Sequence, residues 1–147
     1  MKTLVRSVGR ASIGGEPLPS CFKAFEQNKI IIRRSEVSMF AAAPGAGKST
    51  LALALALKTN VPTLYISADT NAHTMAMRLA SMISGKSQSD VEQKLNTDVG
   101  WTKAVLQRGS HIVWSFDSSP TLQDIDEEVQ AFEELWGCPP VLIVLDN

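Results

Sequence analysis

The run Ala41-Ala42-Ala43-Pro44-Gly45-Ala46-Gly47-Lys48-Ser49-Thr50 carries the plainest chemistry in this chain. Its small side chains let the backbone wrap closely around a chain of phosphates, with N–H groups turned inward as donors. The donors from Gly45 to Thr50 stand at the start of a helix, where unpaired N–H groups and the helix dipole both favour an anion. Lys48 adds a positive charge for the outer phosphates, and Ser49 adds a hydroxyl oxygen of the kind Mg2+ accepts. Pro44, Gly45, Ala46, Gly47, Lys48, Ser49 and Thr50 are therefore the expected phosphate-binding residues. The pattern is that of a Walker A loop with one departure, Ala42, where G-x-x-x-x-G-K-[ST] has its first glycine.

Three carboxylates stand where such a loop needs them. Asp146 closes the apolar run Val141-Leu142-Ile143-Val144-Leu145, as a Walker B aspartate does, and would hold Mg2+ through the metal's water shell. Ser49 and Asp146 are thus the expected metal residues. Asp69 follows the strand-like run Val61–Ser67 and could orient or deprotonate a water attacking a γ-phosphate; the competing reading is a turn or capping aspartate. Lys48 and Asp69 are the candidate catalytic residues. Asp117, followed by Ser118-Ser119-Pro120, reads as a turn residue. His73 and His111 have no evident partners and read as structural or surface residues, and no Ser-His-Asp or Cys-His arrangement stands out.

The elements that position these groups follow from spacing. Ser35–Phe40 is short and β-prone, as a strand entering the loop should be. Leu51–Leu57 alternates like a strand, but Ala and Leu lead the helix scale and no β-branched residue follows Thr50. A helix of that composition is apolar nearly all round and should be buried, with Asn60 as its stop. Val61–Ser67 is the second strand, with Pro62 tolerated at its start. Thr70 or Asn71 should cap a helix carrying Met75, Leu79, Met82 and Ile83 on one face, ended by Gly85. Ser89-Asp90-Val91-Glu92 has the form of a capping box, and Asp98–Arg108 reads as a further helix stopped by Gly109. His111–Phe116 is the third strand. Thr121 caps a helix with the stripe Leu122, Ile125, Val129, Phe132 and Trp136, and Gly137-Cys138-Pro139-Pro140 breaks it. Val141–Leu145 reads as a strand buried on both faces.

Strands alternating with helices predict an α/β fold, a three-layer α/β/α P-loop NTPase with a mainly parallel sheet. In such sheets ligands bind at the C-terminal strand ends, where the loop, Asp69, Asp117 and Asp146 all fall. Residues 1–33, rich in glycine and proline near the start, read as a lead-in, with Phe22, Phe25 and Lys29–Ile32 as a short packed segment. Residues 34–147 read as the core. A length of 147 residues, 44% apolar and 20% charged, suits one soluble globular domain. The net charge of −1 supplies no global basic field for nucleic acid. Cys21 and Cys138 have no metal-ligand spacing and suit a reducing compartment. No apolar run is long enough for a signal peptide or a membrane span, so the expected setting is cytoplasmic, with no membrane partner.

From about Arg34 to Asn147 the chain resembles the RecA-like ATPase core, in particular the motor domain of DnaB-type replicative helicases and their phage relatives. The resemblance rests on the Walker A block, on Tyr65-Ile66-Ser67-Ala68-Asp69-Thr70 with the Met/Leu helix after it, and on Phe116-Asp117-Ser118-Ser119-Pro120 leading through an acidic helix to Val-Leu-Ile-Val-Leu-Asp. It implies ATP and Mg2+ as ligands, a homo-oligomer (hexamer or filament) in the full-length family, and single-stranded DNA as partner. In the family the position matched by Asp69 is usually a glutamate serving as the catalytic carboxylate; aspartate is one methylene shorter. The family continues past Walker B with a strand that inserts between the Walker B and P-loop strands, with DNA-contacting loops and with an arginine that reaches a neighbouring subunit's ATP. The expectation is therefore a RecA-like core incomplete at its C-terminus, from a truncated, split or interrupted member, in a bacterial or phage-infected cytoplasm.

The leading functional expectation is an ATPase module of a DNA helicase or recombinase in replication or recombination. The alternative is a nucleotide-binding or oligomer-interacting piece without turnover of its own. A small-molecule kinase would need an Arg-rich lid segment, and a GTPase an Asn-Lys-x-Asp segment; neither is found in the sequence.

Overall fold

The computed structural model describes residues 15–147. Residues 1–14 of the lead-in expected over residues 1–33 thus lie outside the described residues. The chain divides into two units between Ala41 and Ala42.

In the first unit, Pro17 bridges Arg33 in antiparallel fashion. Leu18 N–H donates to the Ile32 carbonyl at 2.8 Å, and Arg34 N–H to that of Glu16 at 3.0 Å. Helix α1, Lys23–Gln27, lies between these two segments in the chain. Phe25 meets Phe22 edge-on, with centroids 5.1 Å apart, and stacks on Phe40 at 6.2 Å. The strand expected over Ser35–Phe40 does not form. Ser35 sits at φ +61°, outside the extended region, and Val37 and Met39 are exposed. A strand is stable only as part of a ladder, and this segment has none among the described residues.

The second unit holds helix α2 (Lys48–Thr59), strand β1 (Thr63–Ser67), helices α3 (Ala72–Ser84), α4 (Gln88–Thr97) and α5 (Val99–Gln107), strand β2 (Ile112–Ser115), helix α6 (Leu122–Trp136) and strand β3 (Leu142–Asp146). The strands form one parallel sheet in the order β2-β1-β3. Central β1 is buried at every residue, as a strand flanked on both sides and covered on both faces must be.

Alternation along β1 separates two cores. On one face Tyr65 packs with Leu53 and Ala56 of α2, Met75 and Leu79 of α3, Ile112 of β2 and Val144 of β3. On the other face Leu64 and Ile66 pack against Phe132 of α6, with Val113, Ile125 and Val129 around them. The leucine-alanine run is a helix, as its composition predicts, with Leu53, Leu55 and Ala56 buried. A smaller cluster of Ala80, Val91 and Val105 ties α3, α4 and α5 together.

The stops and caps follow local chemistry. Asn60 at φ +51° ends α2 in the left-handed conformation, one of the few non-glycine types to tolerate it. Asn71 caps α3 by accepting from Thr74 N–H at 2.9 Å. Helix α4 starts before the expected Ser89: the cap is Ser87, whose hydroxyl accepts from Asp90 N–H at 3.2 Å and donates to the Asp90 carboxylate at 2.7 Å. Thr121 and Asp124 form a reciprocal capping box on α6. These bonds hold the Asp124 carboxyl below its ordinary value, the Thr121 hydroxyl first and its backbone N–H second.

Two expected burial patterns fail, and for β3 the packing of α6 gives the reason. Leu122, the first residue of the α6 stripe, is 87% exposed, and β3 is not buried on both faces: Leu145 is 60% exposed and Ile143 43%. Ile143 and Leu145 lie beside Leu64 and Ile66 in register, but α6 packs over β1 and β2, leaving this face of β3 uncovered. An edge strand covered on one face buries only alternate residues, whatever its composition.

Phe132→Ala should therefore destabilise the domain by about 3–5 kcal/mol, whereas Leu135→Ala, on the exposed side of α6, should stay within about 0.5 kcal/mol in urea denaturation. Because the folded-state carboxyl of Asp124 is depressed, its contribution is present above the ordinary aspartate value and lost as pH falls through the folded one. The stability difference between the wild type and Asp124→Asn should accordingly be full at neutral pH and vanish in acid.

Candidate functional site

Of the expected phosphate-binding residues, Pro44–Gly47 are exposed and lead into the N-terminus of α2, whose first turn holds Lys48, Ser49 and Thr50. Two glycines shape the loop. Gly45 at φ +76° and Gly47 at φ +91° turn the backbone through a region that side chains disfavour. Gly47 caps α2 without a side-chain acceptor, so the first-turn N–H groups are not spent on a local cap. Ala46 N–H bonds the Ala43 carbonyl at 3.2 Å, closing a tight turn. The Lys48 ammonium donates to the Ala42 carbonyl at 3.1 Å, so it lies folded along the loop, at the position that departs from the motif.

Ser49 and Asp146 meet although 97 residues separate them: the Ser49 hydroxyl donates to Asp146 Oδ1 at 2.9 Å. The parallel register explains the meeting. Ser67 at the end of β1 pairs with Asp146 at the end of β3, and Ala68 N–H donates to the Asp146 carbonyl at 2.9 Å. Helix α2 packs on the face that carries Val144 and, two residues on, Asp146. Residues at the start of α2 are thereby brought to the C-terminal ends of the strands.

A residue that sequence reading did not single out completes the cluster. The buried Tyr65 on β1 donates its hydroxyl to Asp146 Oδ2 at 2.8 Å. Its ring lies against Trp114, with centroids 4.9 Å apart. Burial first, then the hydrogen bond to Asp146 and its negative charge, push the phenol well above its ordinary range, while nearby Arg78 pulls slightly the other way. Burial and Asp146 both favour the neutral phenol, the form that donates the hydrogen bond to Asp146. The available signal in the sequence was polarity: Tyr65 shares a face with Asp146 only once the strand pairing is known.

The other candidates are divided. Asp69 is exposed, two residues beyond Ser67, at the same end of the sheet as Asp146. Asp117 accepts from Ser119 N–H at 3.0 Å and is the turn residue its sequence suggested. His111 Nε2 lies 3.1 Å from the Ala56 carbonyl and ties the start of β2 to α2, while His73 is exposed. A hydroxyl and a carboxylate side by side are hard oxygen ligands, of the kind Mg2+ accepts.

A parallel α/β sheet with a glycine-turned loop at a helix N-terminus, its serine bonded to a strand-end aspartate, is the architecture of a P-loop NTPase. The sequence profile of the AAA domain matches residues 28–147, and the chain belongs to that family. It is also 36% identical over 138 residues to the Gene 65 protein of Mycobacterium phage L5, a match covering 90% of this chain and 50% of that protein. With the Gene 65 protein of Mycobacterium phage D29 it shares 36% identity over 115 residues, covering 72% of this chain and 46% of that protein. The chain thus spans about half the length of the curated relatives it matches. No solved structure matches it. Among the described residues no helix is long and apolar enough to cross a membrane.

At Gly47 a Cβ would meet nothing within 4 Å, so the constraint there is the backbone angle alone. Gly47→Ala should cost about 1–2 kcal/mol in chemical denaturation, the penalty for a left-handed alanine.

Proposed function

We propose that this chain is the ATP-binding and ATP-hydrolysing module of a RecA-like DNA motor, a helicase or recombinase of DNA replication or recombination. The observation that carries the reading is the 2.9 Å bond between Ser49 and Asp146, which joins the Walker A serine to the Walker B aspartate. Membership of the AAA domain family and the likeness to phage proteins support it. The ATPase core is taken to begin near residue 34, after the lead-in of residues 1–33. ATP is favoured over GTP by the resemblance and by the lack of an Asn-Lys-x-Asp segment in the sequence. A homo-oligomer and single-stranded DNA as partner belong to the same proposal for the whole protein, as does a cytoplasmic location.

The roles follow from the residues. Backbone N–H groups from Gly45 to Thr50 bind the phosphates, with Pro44 and Ala46 keeping the loop tight. Lys48 exchanges the Ala42 carbonyl for the outer phosphate oxygens and neutralises their charge. Ser49, and Asp146 through the metal's water shell, would hold Mg2+, which would supply charge neutralisation at the outer phosphates. Asp69, exposed at the strand ends, orients the attacking water and accepts its proton.

A second reading is a nucleotide-binding piece of an oligomer with no turnover of its own. The exposed Ile143 and Leu145 on edge strand β3 favour it, because such a face suits burial against other protein.

Calorimetry with Mg·ATP should show binding to the wild-type chain and none to Lys48→Ala. Asp69→Asn should keep binding and lose steady-state hydrolysis, which single-stranded DNA should raise in the wild type. Binding without turnover would favour the second reading. No binding by the wild type would overturn both.

A further inference from the structure

We infer that Tyr65 is a positioning residue that holds the Asp146 carboxylate in its metal-facing orientation, an inference resting on the reading of Ser49 and Asp146 as the metal pair. The two oxygens of Asp146 are divided between two donors: Oδ1 accepts from Ser49 at 2.9 Å and Oδ2 from Tyr65 at 2.8 Å. The two donors come from different elements, α2 and β1, so the carboxylate is clamped from both sides.

The hydroxyl of Tyr65 has a cost that packing does not explain. The side chain is fully buried in an otherwise apolar cluster, where phenylalanine would fill nearly the same volume. A phenol tip in such a place must find an acceptor or lose its hydration uncompensated. Asp146 is that acceptor, and no buried side-chain polar atom among the described residues is left unsatisfied.

Asp146, in turn, needs an anchor. It sits at the end of an edge strand whose preceding residue, Leu145, is 60% exposed. Among the described residues the carboxylate's other hydrogen-bond donor is Ser49, itself one of the groups assigned to the metal. Tyr65 stands on the central strand, which is paired on both sides, with its ring packed on Trp114. Each oxygen of Asp146 keeps a lone pair beyond its protein donor, and these remain for the water shell of the ion. Outer partners of this kind set metal affinity by fixing ligand orientation.

The test is Tyr65→Phe, which keeps the ring and removes one donor. Binding of a non-hydrolysable ATP analogue would be followed by calorimetry as Mg2+ is titrated, and again in EDTA. The expected result is a rise of about tenfold or more in half-saturating Mg2+, with affinity in EDTA unchanged. An unchanged Mg2+ dependence in Tyr65→Phe, or an equal loss of affinity in EDTA, would overturn the inference. If wild-type binding ignores Mg2+, the metal-pair reading fails and takes the inference with it. If Asp146→Asn weakens the Mg2+ dependence and Tyr65→Phe does not, the inference alone fails.

Tyr65 is the only tyrosine in the chain, which provides a measurement that leaves Tyr65 itself unsubstituted. Biosynthetic fluorotyrosine labels this position alone. Its fluorine resonance should move when Mg2+ is added to the nucleotide-bound protein and stay fixed in Asp146→Asn; a resonance insensitive to Mg2+ in the wild type would overturn the inference.

Discussion

The hydrogen bond from Ser49 to Asp146 joins residues 97 positions apart, and most of the second unit is arranged so that they can meet. Closing so long a loop costs conformational entropy that one hydrogen bond between partly buried groups cannot offset. The offset comes from the cluster of Leu53, Ala56, Tyr65, Met75, Leu79, Ile112 and Val144, which joins two helices and all three strands. Parallel pairing then does the positioning. With Ser67 beside Asp146, the ends of β1 and β3 are level, and the start of α2 reaches them across the same face.

The two faces of the sheet are unequally served. Helices α2 and α3 cover one face as far as Val144, whereas α6 covers only β1 and β2 on the other. Strand β3 is consequently secure on the side that carries Asp146 and open on the side that carries Ile143 and Leu145. The carboxylate therefore depends on what holds it from the covered side, and Tyr65 and Ser49 are what the structure offers. The satellite of α3, α4 and α5 packs through Ala80, Val91 and Val105, apart from the Ser49–Asp146 pair.

Much of this was legible before any coordinates. Loop, helix and strand-end carboxylate follow from short-range pattern, because glycine at positive φ, helix-forming leucine and alanine, and an apolar run ending in aspartate each have a local cause. Asn60, Asn71, Gly85, Thr121 and Gly137 end or begin their helices as local chemistry requires. The missed cap at Ser87 is instructive: Ser87 with Asp90 and Ser89 with Glu92 both have the spacing of a capping box, and the helix begins at the first of them.

What the sequence by itself determined is the inventory of the second unit: which of its segments are helix or strand, which loop has the form of a phosphate-binding one, and which oxygen-bearing residues could serve a metal. Local stereochemistry decides these, and it acts over a few residues. Tertiary structure alone decided partnership. Only the folded sheet shows that Asp146 lies beside Ser67, that a buried tyrosine points its hydroxyl at that aspartate, that Ser35–Phe40 joins no ladder among the described residues, and that a wholly apolar strand keeps one face in solvent. Hydrogen bonding between strands and burial against helices are long-range events, and an apolar side chain carries no mark of whether a neighbour will cover it.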